Sequence, residues 1–291
     1  MEREQNTGYD CRRRLSMFQW MAFPVGLILM GLGCRTISPD AGVSPEQGRK
    51  LTGGGEVKTV SDRFQCTNVW FVRAASKPPI IDGKLDEVWA QSGPHRFVWL
   101  TGSPKGEAAP AEATDGYMLC DRENLYVAIL CHTPDTRRLV SGSKPTVRDA
   151  INWDGDYVEV LLDPNRRRDG GFHFVVDPAG TFGDIIHDSL RYSAVGGEFG
   201  DYAPWTSEGV EYKVGIGQDS YCVEMKIPFK SLGLNGSQIG RFWGVSLNRF
   251  NPRGGEDTAI AFTGVGESFH GVAHFGIAIL ECGDPSYKPA P

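Results

Sequence analysis

The sequence predicts an all-β domain, an antiparallel β-sandwich with one or two short helical turns, and three observations lead there. Glycine (37) and proline (18) make up nearly a fifth of the 291 residues, a proportion suited to short strands joined by turns and unsuited to a helical bundle. Apolar residues recur in short runs punctuated by Asp, Asn, Gly and Pro. Only 84–91 and 228–232 read as helical turns. So many closely spaced runs require two packed layers or a barrel. The single polar positions that interrupt several apolar runs favour the sandwich.

The chain divides before the domain begins. Arg12, Arg13 and Arg14 precede an apolar run over 17–33, and Cys34 follows Gly31-Leu32-Gly33. This is the order of a secretory signal, too short for a permanent span of about 20 residues. It resembles a bacterial lipobox with Cys34 as the acylated residue. An uncleaved anchor and plain secretion are the other readings, and all three export the domain; the expected location is the cell envelope, with the chain lipid-anchored to a membrane. Residues 35–63, with Ser38-Pro39, Ser44-Pro45 and Gly53-Gly54-Gly55, carry few large apolar side chains and read as a flexible linker. The folded unit is expected over 64–282 and a flexible tail over 283–291.

Within that unit the strands follow in order. Runs at 115–120 and 125–132 flank Asp121-Arg122-Glu123-Asn124, a hairpin signal. A run at 156–162 ends at Asp163-Pro164. A run at 172–176 turns through Asp177-Pro178-Ala179-Gly180 into 181–187. Runs at 210–216 and 221–227 flank Gly217-Gln218-Asp219-Ser220, and 242–250, 258–263 and 274–280 complete the set.

Charge and cysteine use narrow the function. Thirty basic against 36 acidic residues leave a formal charge of −6, and no basic stripe is present to neutralise a row of phosphates, so nucleic-acid binding is not expected. The domain is expected to be a monomer. Five cysteines lie within it (Cys66, Cys120, Cys131, Cys222, Cys282) without a C-x-x-C spacing or an H-E-x-x-H motif, so zinc and thioredoxin chemistry lack support. Buried free thiols are one reading. The other is a Cys66–Cys282 disulfide, which follows if the first and last strands pair antiparallel.

Pro78-Pro79-Ile80-Ile81-Asp82-Gly83-Lys84-Leu85-Asp86-Glu87-Val88-Trp89 resembles the opening of the carbohydrate-binding module family 9 domains. In the same order, the hairpin at 116–129, the segment Asn152-Trp153-Asp154-Gly155-Asp156-Tyr157-Val158-Glu159, the strand Tyr221-Cys222-Val223-Glu224 through Pro228, and His274-Phe275-Gly276 resemble that family's later segments. The resemblance covers about 79–280 and implies a β-sandwich that binds a glycan. In that family two tryptophans sandwich a terminal sugar. Trp153 matches the first and Phe269 stands where the second would be, while Glu159 and His173 match polar contact positions, His173 in place of an arginine. Such a site needs flat aromatic plates for the C–H face of a pyranose and a few fixed polar groups for its hydroxyls.

Each residue also has a structural reading. Trp89 is expected to anchor the core, Glu159 to be a hydrogen-bonded strand residue, and His173, alternating with Phe172 and Phe174, to face solvent. Asp154, Asp156 and Glu159 lie along one segment, which does not supply the opposed carboxylates of a glycosidase, and no G-x-S-x-G elbow is present, so no catalysis is expected. Structural calcium held by loop oxygens is compatible with the resemblance but has no assignable ligands. Two other functions stay open: a structural envelope lipoprotein that binds a protein partner, and a haem-b electron-transfer sandwich using Met118 or Met225 with His132, His173, His187 or His274.

Overall fold

The computed structural model describes residues 69–99, 112–139, 147–167, 170–187, 205–252, 260–262 and 275–287, all within Leu51–Pro291. Side chains along each apolar run alternate between two faces, and the strands assemble so that one set of faces meets. In chain order the strands are β1 (Val69–Ala74), β2 (His95–Arg96), β3 (Val98–Trp99), β4 (Thr114–Cys120), β5 (Asn124–His132), β6 (Tyr157–Asp163), β7 (Gly171–Val176), β8 (Phe182–His187), β9 (Glu211–Ile216), β10 (Ser220–Pro228), β11 (Phe242–Phe250), β12 (Ile260–Phe262) and β13 (Gly276–Leu280). The remaining regular elements among the described residues are short 3-10 turns, including Glu87–Gln91 and Phe229–Leu232, where helical turns were expected. No helix among the described residues is long and apolar enough to cross a membrane.

The strands form one mixed sheet in the order β8-β7-β6-β11-β13-β1-β4-β5-β10-β9, with β2, β3 and β12 off this path. It curls into a half-barrel, so β6, β7 and β11 of one arm share a core with β4, β5 and β10 of the other. Val158, Val160, Leu162, Phe174, Trp243, Val245 and Leu247 meet Met118, Val127, Ile129, Val223 and Met225 there. The expected all-β fold holds. Arg249 closes this core from β11. Fully buried, it donates to Thr114 Oγ1 (3.1 Å), the His132 carbonyl (3.0 Å) and Glu112 Oε2 (2.9 Å), and its guanidinium lies 5.5 Å from the Tyr221 ring centroid. One cation thus ties the two arms together while its buried charge is compensated.

The antiparallel expectation fails at β1. This strand runs parallel to both neighbours, β13 (Val69↔Ile277 to Val72↔Leu280) and β4 (Arg73↔Leu119, Ala74↔Cys120). A long connection between Ala74 and Thr114, carrying the opening motif, permits the parallel crossover that a hairpin forbids. The Cys66–Cys282 pairing falls with it. Parallel register puts the C-terminal ends of β1 and β13 side by side, so Cys282 lies near the end of β1, away from its start. It is bonded to Cys120, with the Cα atoms 6.2 Å apart. The bridge therefore joins the two strands that flank β1. Cys131 and Cys222 are buried free thiols; Cys66 lies outside the described residues.

The opening motif folds over the outer face of β4, β5 and β10. Trp89 is 1% exposed and packs with Val88, Leu119, Tyr126 and Ala128, the core role expected of it. Its Nε1 donates to Glu224 Oε1 at 2.7 Å, while Glu224 Oε2 accepts from the backbone N–H groups of Asp82 (3.0 Å), Gly83 (2.6 Å) and Lys84 (3.2 Å). Ala128 stands opposite Glu224 across the β5–β10 ladder, and its small side chain leaves room for the indole. Gly83 has φ +87°, and a Cβ there would lie 2.4 Å from the Gly215 nitrogen. Only glycine meets both conditions.

Two outcomes follow. Gly83→Ala is expected to cost about 3 kcal/mol through positive-φ strain and backbone overlap, read as a lower urea midpoint. Cys120→Ala is expected to cost about 2 to 5 kcal/mol, and reductant should lower the melting temperature of the unaltered protein but not of the variant.

Candidate functional site

The second polar concentration lies on the other arm, on the outer face of β6, β7 and β11. Residues 242–250 of β11 read F-W-G-V-S-L-N-R-F. Trp243, Val245 and Leu247 turn into the core, which sends Ser246, Asn248 and Phe250 to the opposite face. On β6 the same face carries Tyr157, Glu159 and Leu161, because Val158, Val160 and Leu162 face the core. His173 joins from β7, between the core residues Phe174 and the partly buried Phe172. The register fixes the neighbours: Asn248 opposes Glu159, Phe250 opposes Tyr157, and Leu161 opposes His173.

These groups form a connected polar row. Ser246 Oγ donates to Asn248 Oδ1 at 3.0 Å, Asn248 Nδ2 donates to Glu159 Oε2 at 3.2 Å, and His173 Nε2 lies 3.0 Å from Glu159 Oε1. All four side chains are buried. Glu159 is thus hydrogen-bonded, as the structural reading held, and His173 is 1% exposed. The expectation that His173 faces solvent is corrected, because its neighbours on β6 offer a carboxylate to receive it.

At the end of this row the surface becomes aromatic. A turn across 152–155, closed by Gly155 N–H to the Asn152 carbonyl at 2.9 Å, lifts Trp153 out of the chain. The indole is 46% exposed. Its ring meets the edge of Tyr157 at a centroid distance of 5.4 Å, and Tyr157 stacks on Phe250 at 5.1 Å and 13°. Burial, reinforced by the charges of Glu159 and Asp154, holds the Tyr157 phenol well above its ordinary range, so it stays neutral and able to donate. The arrangement offers one accessible plate on an aromatic footing, continuous with a buried row of donors and acceptors.

Of the residues expected at a site, the structure brings Glu159 and His173 into contact and sets Trp153 beside them through Tyr157. Phe269 lies outside the described residues, as does Cys34. Tyr157, Ser246, Asn248 and Phe250 were not anticipated. The alternation of small and polar with large apolar residues in β11 is the signal that marks Ser246 and Asn248. No group of three or more His, Cys, Asp or Glu among the described residues is placed to hold a metal ion, so no calcium position is assigned.

Comparison with known proteins gives the same outline. The family model "Carbohydrate family 9 binding domain-like" matches residues 81–282. A carbohydrate-binding module of family 9 from Caldicellulosiruptor kristjanssonii, solved with cellotriose, is similar over 77% of this chain and 98% of its own, with a TM-score of 0.50 and 18% identity. A candidate carbohydrate-binding protein of Bacteroides uniformis is similar over 74% of this chain and 100% of its own, with a TM-score of 0.54 and 14% identity. At such identities the likeness is one of fold. No curated protein gives a match.

The buried row and the exposed plate should respond differently to truncation. Glu159→Ala is expected to cost about 3 kcal/mol or more, because it leaves the buried Asn248 Nδ2 without its acceptor and removes the carboxylate facing the buried His173. Trp153→Ala is expected to cost under about 1 kcal/mol. Chemical denaturation of the two variants measures both.

Proposed function

Since the chain belongs to the carbohydrate family 9 binding domain-like family, we propose that it is a carbohydrate-binding module without catalysis of its own, exported and tethered to a membrane, that recognises the end of a glycan at the face capped by Trp153. The observation that carries this reading is the exposed indole in edge contact with Tyr157, which stacks on Phe250 and lies beside the Glu159–Asn248–His173 row. A pyranose laid on the indole presents its C–H face to the plate and its hydroxyl rim to neighbouring polar groups. Cellotriose, the ligand in the Caldicellulosiruptor structure, is the natural first probe.

The reading without catalysis is supported by how Glu159 is engaged. Its two oxygens already face His173 and Asn248 inside the protein, whereas glycoside hydrolysis needs an acid and a base or nucleophile that both reach the scissile bond. Export is supported by the Cys120–Cys282 bridge, since disulfides persist in oxidising compartments. The haem reading gains no such observation, as Met118 and Met225 both sit in the shared core.

One plate of full indole size predicts modest affinity, with Kd between micromolar and millimolar, about 4 to 8 kcal/mol. Titration calorimetry with cellotriose, preceded by a glycan array to find better ligands, tests it. Trp153→Ala is expected to weaken binding at least about tenfold with thermal unfolding nearly unchanged; equal binding by the variant would sink the site. Cys34→Ala is expected to move the protein out of the detergent phase in a partition assay, and unchanged retention would point to an uncleaved anchor.

A further inference from the structure

The outer face of the sheet changes character away from the polar row. Where β11, β13 and β1 lie side by side, Phe242 opposes Ile279, which opposes Phe71, and Gly244 opposes Ile277, which opposes Val69. Trp70 and Val72 of β1, Ala278 and Leu280 of β13 and Trp243 of β11 fill the core, so Val69, Phe71, Ile277, Ile279 and Phe242 point outward. Phe242 is 56% exposed and Val69 36%, and the other three are partly exposed. A strand with one buried face ordinarily carries polar residues on the other. Here the outward positions of β1 and β13, and of β11 over Phe242 and Gly244, are apolar or glycine; the row ends at Arg73 and Glu281 on one side and at Ser246 of β11 on the other. Contiguous exposed apolar surface of this kind marks an interaction site.

We propose that this row rests on a lipid bilayer, an inference that depends on the reading of the chain as tethered to a membrane. Two observations select that occupant. Val69 belongs to the patch and is also where the chain from Cys34 joins the sheet; the intervening stretch is 34 residues, and a linker of that length, as its composition predicts, would span about 30 Å. The tether therefore keeps the patch at high local concentration against the bilayer. Next to the apolar row stands the exposed Arg73, able to reach lipid phosphates, while the acidic neighbour Glu281 is occupied by the Ala74 N–H at 3.0 Å.

The test uses the full chain reconstituted in phosphatidylethanolamine–phosphatidylglycerol vesicles. An environment-sensitive fluorophore is attached at Phe242→Cys or, as the reference, at Asp154→Cys, with the signal of the unsubstituted chain subtracted. Chains that float with vesicles should show the Phe242 label quenched by brominated lipid about threefold more than the Asp154 label, as side chains seated 5–10 Å into the interface are. Equal quenching on floating chains overturns the proposal and leaves the tether intact. Chains that remain in the supernatant remove the tether and the docking with it. Energy transfer between Phe242-labelled copies without lipid, abolished when Phe71→Glu is added to the labelled chain, overturns it in favour of a dimer face.

Discussion

The carboxylate of Glu224 is the contact on which the rest of the structure depends. It sits on the outer face of β10 and receives one indole N–H and three consecutive backbone N–H groups. Without it the opening motif would have no fixed position. With it, Trp89 is seated on Leu119, Tyr126 and Ala128, and the connection that carries the chain from β1 across to β4 is held down. The energies are close to balanced. Hydrogen bonds to a charged group contribute roughly 1.5 to 3 kcal/mol each, while burial of a carboxylate costs several. Burial raises the Glu224 carboxyl above its ordinary range and the donors from Gly83, Asp82 and Trp89 pull it back. The contact therefore specifies a conformation more than it adds stability, and Gly83 packed on Gly215 permits no other approach.

The candidate site repeats this logic on the other arm. Glu159 is again a buried strand carboxylate, held by Asn248 and facing His173. The difference is what stands beside it. Trp89 is sunk over its carboxylate, whereas Trp153 is lifted by a turn and braced at its side by Tyr157, which in turn stacks on Phe250. A braced plate loses little freedom when a ligand arrives, which matters for a module whose gross contact is small. The proposed membrane row uses the same sheet and the same strand, β11, in a third way, with apolar side chains left outward where polar ones would be expected.

Much of this was legible in the residues. The strands from 115 to 250 follow period-two alternation and turn residues closely enough that the β4–β5 hairpin, β7, β8 and β11 fall where the sequence places them, and the opening motif announces Trp89 as a core anchor. Strand direction was not legible, since an alternating run reads identically either way, and β1 took the parallel option that its long connection to β4 allows. The cysteine partner followed strand direction and was misread with it. His173 misled for a related reason: alternation with two phenylalanines fixes which face it takes, not whether that face is covered. Asn248 and Ser246 could be placed on a face from sequence, but their link to Glu159 needed the β6–β11 register.

The position of β1 carries a consequence for how the chain reaches this state. The first described strand, β1, is completed by β4 on one side and on the other by β13, the last described strand. The seam is therefore closed by the pairing of greatest sequence separation, and such pairings are slow because a long loop must be ordered before they reward it. Until β13 arrives, β1 presents an open parallel edge and the two arms lack their middle. Folding of the sheet can finish only after the C-terminal strand is present, so a chain arrested before residue 276 would have its two arms in contact through side chains such as Arg249 but not joined by a ladder.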